Sequence, residues 1–347
     1  MTNKTIMLVQ PSIAEDLTSK RKSITTQFQR GDWERPFVET FGEEYLAYRR
    51  AWERAGRNWL PEFPLHIDFQ LMDQCNMRCV FCPRDESVME AMGATDLLNR
   101  GTKTPLAVFK KVIDEGEKYG LRAINLGATS EPLIHKDVVH MVRYARDHGV
   151  FDIRIITNGL LLREKMIRQL YDAGLTYLGI SVDAWKAETY RKVRKNDLSK
   201  VVTNALLAVK IRDEMGLKFP RIRVSFVDSP DAKGEFGPFL NFWKDKVDFI
   251  ELQDFDDFGA AQSNFTFDCS EPYRRVLVWA SGVVGCIAWT AERYPYGHIH
   301  QGQTIKECWD SAAAHELRES FKTKNYNPMC LGCYGNMATK DSPEIPS

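Results

Sequence analysis

The sequence predicts an α/β protein built on a parallel sheet, because strand and helix segments alternate and several strand segments are apolar throughout. Continuous apolar runs are typical of parallel strands that are covered on both faces. Six successive strand–helix units predict parallel neighbours joined by right-handed crossovers. The predicted strands are 66–71, 121–127, 151–157, 175–182, 221–227 and 247–252, and the predicted helices are 105–119, 136–148, 163–173, 197–215 and 235–244.

The alternating region is flanked by two others, a helical N-terminal extension and a smaller C-terminal module rich in cysteine and glycine. The extension contains one helix with an aromatic stripe, and such stripes more often pack against a core than contact a cofactor. The stripe consists of Phe41, Tyr45, Tyr48 and Trp52. The predicted bounds of the three regions are 1–60, 61–260 and 261–347.

Charge and cysteine content narrow the classes of function. The 347 residues include 47 Lys and Arg and 47 Asp and Glu, and this balance argues against nucleic-acid binding. No run approaches the ~18 apolar residues of a membrane span, and the N-terminus lacks the apolar core of a signal peptide. We therefore expect a cytoplasmic protein whose eight cysteines bind metal rather than form disulfides.

Three cysteines in the loop after the first predicted strand give the most specific signal. Cys75, Cys79 and Cys82 have the spacing Cys-x3-Cys-x2-Cys. A [4Fe–4S] cluster normally takes four thiolates, so three leave one iron open, and an open metal position usually serves chemistry. The next histidine, His135, lies beyond a long polar stretch and is no obvious fourth ligand for zinc. A zinc knuckle and a chance grouping of cysteines are the alternatives.

This loop, with the aromatic Phe81 before its third cysteine, resembles the cluster loop of the radical S-adenosylmethionine (SAM) enzymes. The resemblance implies a partial (β/α)6 TIM-like barrel with the cluster at the C-terminal ends of the strands. It also implies that the open iron binds SAM, which is cleaved reductively to a 5′-deoxyadenosyl radical that takes a hydrogen atom from a substrate. The implied partner is a low-potential electron donor, either flavodoxin or ferredoxin.

The same resemblance suggests which residues contact SAM. Glu131, in a Gly-Ala-Thr-Ser-Glu-Pro segment, corresponds to the family's glutamate on the SAM amino group, although the family's glycine pair is replaced here. Ser181 and Arg194 correspond to residues that meet the SAM carboxylate or ribose, and a guanidinium suits a carboxylate. Asn158 follows the third strand in a Thr-Asn-Gly segment frequent in the family, and Phe81 completes the set. A solvent-facing glutamate and a helix-end arginine are the alternatives for Glu131 and Arg194.

Four further cysteines form a second set in the C-terminal region. Their pattern ends in Cys-x2-Cys, and a hairpin-like segment at 281–286 and a helix at 312–323 accompany it. The arrangement resembles the SPASM/twitch modules, in which a hairpin and a helix hold an auxiliary [4Fe–4S] cluster. Four thiolates would ligate such a cluster fully, and tetrahedral zinc is the alternative. The four residues are Cys269, Cys286, Cys330 and Cys333.

Three features are candidates for contact with the substrate. Cys308 is either a small buried side chain or a hydrogen-atom donor, as a cysteine is in radical SAM epimerases. Asp254 begins an acidic run after the sixth strand and either accepts a proton or belongs to a solvated loop. The long connection at 85–104 is either a substrate lid or a surface insertion.

The resemblance as a whole predicts a radical SAM oxidoreductase that oxidises or epimerises a sugar or aminocyclitol. The first alternative is a maturase of a ribosomally made peptide. Such enzymes often carry a winged peptide-recognition domain, for which residues 1–60 are too short and too helical, so a separate protein would supply it. The second alternative is a non-enzymatic iron–sulfur or zinc protein, which requires the matches at Glu131, Ser181 and Arg194 to be coincidences.

Overall fold

Eleven strands of the described residues form one sheet in the order β1-β2-β8-β7-β6-β5-β4-β3-β9-β10-β11. The computed structural model describes residues 7–8, 25–29, 32–91, 95–98, 100–255, 269–288, 290–330 and 333. The strands are β1 (Met7–Leu8), β2 (Thr25–Gln29), β3 (His66–Phe69), β4 (Ala123–Leu126), β5 (Asp152–Thr157), β6 (Tyr177–Ser181), β7 (Arg221–Asp228), β8 (Phe249–Asp254), β9 (Arg275–Val278), β10 (Val283–Gly285) and β11 (Gly297–His298).

The helices lie mostly between consecutive strands of the alternating region. None of those in the described part of the chain is both long and apolar enough to cross a membrane. They are α1 (Arg35–Arg54), α2 (Glu86–Ala91), α3 (Leu106–Lys118), α4 (Val138–Asp147), α5 (Glu164–Asp172), α6 (Ala187–Arg194), α7 (Leu198–Glu214), α8 (Phe236–Trp243), α9 (Ile305–Trp309) and α10 (Ala312–Thr323).

The six central strands confirm the predicted partial barrel. Strands β3 to β8 pair in parallel, each with the next along the chain. One face of the sheet is apolar and packs against helices, as where Phe69 meets Phe109 of α3 at 4.9 Å between ring centroids. The other face carries polar residues such as Asp68 and Arg223, so these strands alternate more than the sequence pattern suggests.

The predicted C-terminal hairpin and helix are also present, and they are joined directly to the barrel. Strand β9 pairs in parallel with β3, and β10 and β11 follow in antiparallel pairing. Helix α10 has the predicted bounds of 312–323. The barrel and the module therefore share one sheet, and the three regional boundaries stay predictions.

The N-terminal region contains the predicted helix and two strands that the sequence pattern does not reveal. Strand β2 pairs antiparallel with β8 and so lengthens the sheet at its far edge. Its sequence, Thr-Thr-Gln-Phe-Gln, contains a single apolar residue and gives no alternating signal. The aromatic stripe of α1 packs as predicted, with Tyr45 and Tyr48 buried near Phe151.

A carboxylate of α3 fixes the start of α9 and thereby joins the C-terminal module to the barrel helices. The two oxygens of Glu115 accept hydrogen bonds from the backbone amides of Ile305 and Lys306, each at 2.8 Å. The first amides of a helix have no partner within the helix, so an acceptor from outside satisfies them.

We expect Glu115→Ala to lower the free energy of unfolding by about 1–3 kcal/mol, because two helix-start amides lose their acceptor. Glu117, exposed on the same helix, provides the control, and Glu117→Ala should change the free energy by less than about 0.5 kcal/mol. Urea denaturation measures both variants. Equal losses would show that Glu115 does not join the two parts.

Candidate active site at the cysteine loop

The cysteine loop lies at the C-terminal end of β3, and each of its thiols accepts a hydrogen bond from a different donor. Such donors favour the anionic form of sulfur, which is the form that binds iron. The pairs are Asn158 Nδ2 with Cys75 at 3.8 Å, Arg194 Nη1 with Cys79 at 3.2 Å and the backbone amide of Arg84 with Cys82 at 3.4 Å. Two of the donors, Asn158 and Arg194, therefore come from elements distant in sequence, and the third belongs to the loop itself.

The chemistry of this donor set fits an iron–sulfur cluster. Burial raises the pKa of the Cys82 thiol to about 11, and partial desolvation raises the pKa of Cys75 although that residue is exposed, so a bound cation would favour the anionic form of both. No three His, Cys, Asp or Glu side chains in the described residues are arranged around a single metal ion. A [4Fe–4S] cluster takes thiolates that stand farther apart than the ligands of a single metal ion, because each thiolate binds a different iron. Cys75, Cys79 and Cys82 would hold three of them.

Glu131 is buried in the turn after β4 rather than facing solvent. It is 1% exposed, and its carboxylate accepts hydrogen bonds from Thr157 Oγ1 at 2.7 Å, Asn158 N at 2.8 Å and Leu133 N at 3.1 Å. Burial raises the pKa of Glu131, and these donors act in the opposite direction. The carboxylate thus fixes the end of β5 and the residue that reaches Cys75. The predicted contact of Glu131 with SAM stays a prediction.

Gly127, which precedes the two positions of the replaced glycine pair, is required for this arrangement. A Cβ atom at Gly127 would stand 2.8 Å from the Ile156 carbonyl oxygen and 3.2 Å from Cγ of Pro132. Only glycine lets the end of β4 approach β5 this closely. The replaced glycines leave Thr129 and Ser130, whose hydroxyl groups bond to Gln70 and to the Met72 carbonyl beside the cysteine loop.

Arg194 reaches the cysteine loop from the end of α6, and its side chain is 12% exposed. Its guanidinium forms an ion pair with Asp183 and lies 5.2 Å from the centre of the Phe81 ring. Arg194 is thus a helix-end arginine whose guanidinium is paired beside the cysteine loop, and its predicted contact with SAM stays a prediction. Asp183 is a site residue that the sequence does not distinguish from an ordinary helix-capping aspartate.

The remaining predicted SAM contacts lie at the same end of the barrel. Asn158 bonds to Asn76 Oδ1 of the cysteine loop at 2.7 Å as well as to Cys75. Ser181 ends β6, is partly buried, and stands opposite Ser225 of β7. The strand ends thus bring Asn158, Ser181 and the cysteine loop to one mouth of the barrel, and the roles of these residues toward SAM stay predictions.

The cysteines of the second set also come together. Burial raises the pKa of Cys286 to about 12, and the nearby Cys333 thiol acts in the same direction. The pKa of Cys330 is raised by burial and then by Cys286, Cys269 and Cys333. Cys330 therefore lies near the other three cysteines of the set, although the four span 65 positions of sequence. A bound metal would favour the anionic form of these thiols.

Cys308 stands apart from both cysteine sets. It is fully buried, and its Sγ lies so close to Gly297 that a Cβ atom there would be 2.5 Å away. Burial raises the pKa of the thiol to about 12, and the charged groups that act on it are Glu115 and Glu307. This placement supports the interpretation of a small core side chain, and the hydrogen-donor role stays a prediction.

The other two substrate candidates are described in part. Asp254 ends β8 opposite Asp228, while its side chain and residues 256–257 of the acidic run lie outside the described residues. In the 85–104 connection, Arg100 pairs with Glu292 and Asp96 pairs with Arg293. Both pairs tie the connection to the C-terminal module, and the choice between lid and insertion stays open.

The inside of the barrel is lined by paired charges. Arg223 of β7 pairs with Glu251 of β8. Asp68 of β3 accepts a hydrogen bond from Asn125 at 2.9 Å and lies 3.4 Å from the guanidinium of Arg275. A substrate in this barrel would meet hydrogen-bonding groups rather than an apolar wall.

A cavity of about 270 Å³ lies at the opposite end of the strands from the cysteine loop. Strand residues such as His66, Arg154 and Arg275 line it, and Tyr48 and Trp52 of α1 line its other side. The aromatic stripe of α1 therefore forms part of the wall of this cavity at the base of the barrel.

The chain matches a known family over the part that builds the cysteine loop. Residues 69–213 match the model of the Radical SAM superfamily. This part of the chain is a radical SAM domain. The match runs from the last residue of β3 into α7 and so includes the loop of Cys75, Cys79 and Cys82. A [4Fe–4S] cluster and SAM, the cofactors predicted for this domain, are confirmed by the family.

The similar characterised proteins include cyclases. Over 192 residues the chain is 27% identical to a probable GTP 3′,8-cyclase of Methanocaldococcus jannaschii, covering 54% of this chain and 60% of that protein. Over 137 residues it is 31% identical to the GTP 3′,8-cyclase of Thermodesulfovibrio yellowstonii, covering 38% and 40% of the two chains. The chain thus spans about half the length of these relatives.

A solved structure extends the likeness to most of the fold. The SuiB protein of Streptococcus suis bound to S-adenosylmethionine superposes with a TM-score of 0.58 and 13% identity. The superposition covers 88% of this chain and 77% of SuiB. At this identity the likeness concerns the fold, and it agrees with the parallel sheet and C-terminal hairpin described above.

We expect Glu131→Gln to lower the free energy of unfolding of the cluster-free chain by about 1–3 kcal/mol. At least one of the three groups that donate to the Glu131 carboxylate would then face the NH2 group of the amide, which cannot accept its hydrogen bond. Glu90→Gln, an exposed change on α2, is the control and should have little effect. Denaturant titration measures both. A tolerated Glu131→Gln would mean that the carboxylate does not fix the β5 end.

Proposed function

We propose that the chain is a radical SAM enzyme that removes a hydrogen atom from a polar small molecule bound inside the barrel and oxidises it. The observation that carries this proposal is the convergence of three donors on Cys75, Cys79 and Cys82 at the barrel mouth. The cofactors, when bound, supply the 5′-deoxyadenosyl radical. Flavodoxin or ferredoxin would supply the electron.

The chain's own residues would orient the reactants and move the proton. The paired charges of the barrel interior favour a substrate with hydroxyl or amino groups, such as a sugar or aminocyclitol. Oxidation of a hydroxyl-bearing carbon also needs a base near the mouth. Asp254 at the end of β8 is our candidate, because the C-terminal ends of parallel strands form the site in such folds.

The second cysteine set would hold an auxiliary [4Fe–4S] cluster that accepts the electron released by the oxidation. Four mutually close thiols leave no iron of the cube open, which suits electron transfer more than substrate binding. Zinc bound to the same four thiols is the alternative, and it could not accept an electron.

A second candidate is cyclisation of a nucleotide. The likeness to GTP 3′,8-cyclases favours it, but that likeness covers about half of each protein. Peptide modification is the third. Deuterium transfer from labelled substrates into 5′-deoxyadenosine separates the three, because only the true substrate donates its label. A panel of sugars, aminocyclitols, GTP and peptides should give transfer from one class, and we expect it from a sugar or aminocyclitol.

We expect the wild-type chain, reconstituted anaerobically with iron and sulfide, to form 5′-deoxyadenosine from SAM and a reductant. The Cys75/Cys79/Cys82→Ala triple variant should form none, because it lacks the ligands of the SAM-binding cluster. Chromatography of the nucleoside products measures this. An iron-loaded wild type that leaves SAM intact would exclude the proposed activity.

We expect about 8 irons per reconstituted wild-type chain and about 4 in Cys269/Cys286/Cys330/Cys333→Ala, which lacks every thiol of the second set, because two cubes bind the former and one the latter. Cys308→Ala, which removes a buried thiol outside both sets, is the matched control and should retain about 8. Iron and zinc analysis measures the variants. Zinc in the wild-type chain in place of the second set of irons would contradict the auxiliary cluster. Loss of product with intact SAM cleavage in Cys308→Ala would instead support hydrogen donation.

A further inference from the structure

We infer that Asp183 is a positioning residue that acts through Arg194. By holding the guanidinium against the sulfur of Cys79, it would raise the reduction potential of the cluster bound at the cysteine loop. The inference rests on the proposed function, since it concerns that cluster. It gives Arg194 a partner other than the SAM carboxylate that the resemblance suggests.

Asp183 is held in a backbone conformation that aspartate seldom adopts. Its φ is +60°, in the left-handed region, and its side chain is fully buried. The amides of Val182 and Asp183 both donate to the Ser225 carbonyl, at 3.3 and 3.0 Å, and the Ser225 hydroxyl lies 3.3 Å from Oδ1. The chain therefore turns sharply just after β6, where the Asp183 carboxylate pairs with Arg194 beside the cysteine loop. Strain of this kind is often found at functional sites.

A buried carboxylate needs a partner of opposite charge, and Arg194 provides it. The planar guanidinium can address two acceptors at once. Here Nη2 faces Asp183 while Nη1 donates to the Cys79 sulfur at 3.2 Å. The Phe81 ring, 5.2 Å away, covers the face of the same group. The direction of the N–H toward sulfur thus depends on the carboxylate on the other side.

The cysteine loop has its own attachment to the same helix. The amide of Val80 donates to the carbonyl of Val193 at 3.0 Å, which fixes the loop beside the end of α6. Tyr190, fully buried on that helix, lies near Cys79. Loss of the Asp183 charge would therefore release the guanidinium while these contacts keep the loop in place. The effect on the sulfur can then be separated from an effect on folding.

A hydrogen bond from a cation to a cluster sulfur stabilises the reduced state, which carries more negative charge, and so raises the reduction potential. Asp183→Asn therefore changes the potential in opposite directions for two roles of Asp183, as a negative charge near the cluster and as the group that holds Arg194 against the sulfur. Removing one negative charge near the cluster raises the potential by Coulomb's law. Releasing Arg194 from the sulfur lowers it. The sign of the change identifies the role.

The test is a redox titration of the cluster followed by electron paramagnetic resonance, without SAM or substrate. The Cys269/Cys286/Cys330/Cys333→Ala background removes the auxiliary signal. We expect Asp183→Asn and Arg194→Gln each to shift the potential to more negative values. In the Arg194→Gln background, Asp183→Asn should lower the potential no further, because no guanidinium is left to release. Arg191→Gln, an exposed cation lost from the same helix, should leave the potential unchanged.

A rise or no change in Asp183→Asn would overturn the inference. If that variant does not fold, Arg194→Lys decides. It keeps the charge but cannot reach both acceptors, so a lower potential supports the inference and a wild-type potential overturns it. A chain that takes up no cluster at the loop would overturn the proposed function and the inference with it, whereas a normal cluster with the wrong shift overturns the inference alone.

Discussion

The need to compensate buried sulfur and carboxylate groups governs the mouth of this barrel. Thiols and carboxylates taken out of water lose their hydration, and each requires donors or cations in return. Glu131 receives three hydrogen bonds, Asp183 receives the guanidinium of Arg194, and each cysteine of the loop receives one donor. The donors to Glu131 lie just after β4 and at the end of β5, Asp183 follows β6, and Arg194 lies at the end of α6, so the parallel sheet and the helix after β6 bring these groups together.

Strand pairing and buried hydrogen bonds also join the barrel to the C-terminal module. Strand β9 extends the barrel sheet into the C-terminal hairpin, and Glu115 satisfies the first amides of α9. Gln70, at the end of β3, bonds to Thr129 on one side and accepts from the Ala280 amide on the other. The proposed auxiliary centre thus has fixed connections to the mouth, which a route for electrons between the substrate and that centre would require.

Much of the fold follows from the sequence because the signals are local. The six central strands and helices α3, α4, α5, α7 and α8 lie where apolar runs and helical spacing predict them, and α10 has the predicted bounds, whereas the short helix α6 was not among the predicted helices. Strands β1 and β2 were not predictable, since β2 has one apolar residue and depends on β8 for its hydrogen bonds. The cavity at the barrel base could not be predicted from the sequence either, because its walls come both from the ends of the strands and from α1.

For the site, the sequence by itself singled out the three thiols of the cysteine loop, because a fixed spacing on one loop needs no other element to define it, and residues 69–213 match the Radical SAM superfamily model. The tertiary structure alone decided which groups compensate those thiols. Glu131 proves to be a buried acceptor rather than a surface carboxylate, and Asp183 becomes a site residue through its pairing with Arg194. The physical reason is that desolvation and charge pairing depend on which atoms the sheet brings near one another, and the spacing of residues along the chain does not specify those contacts.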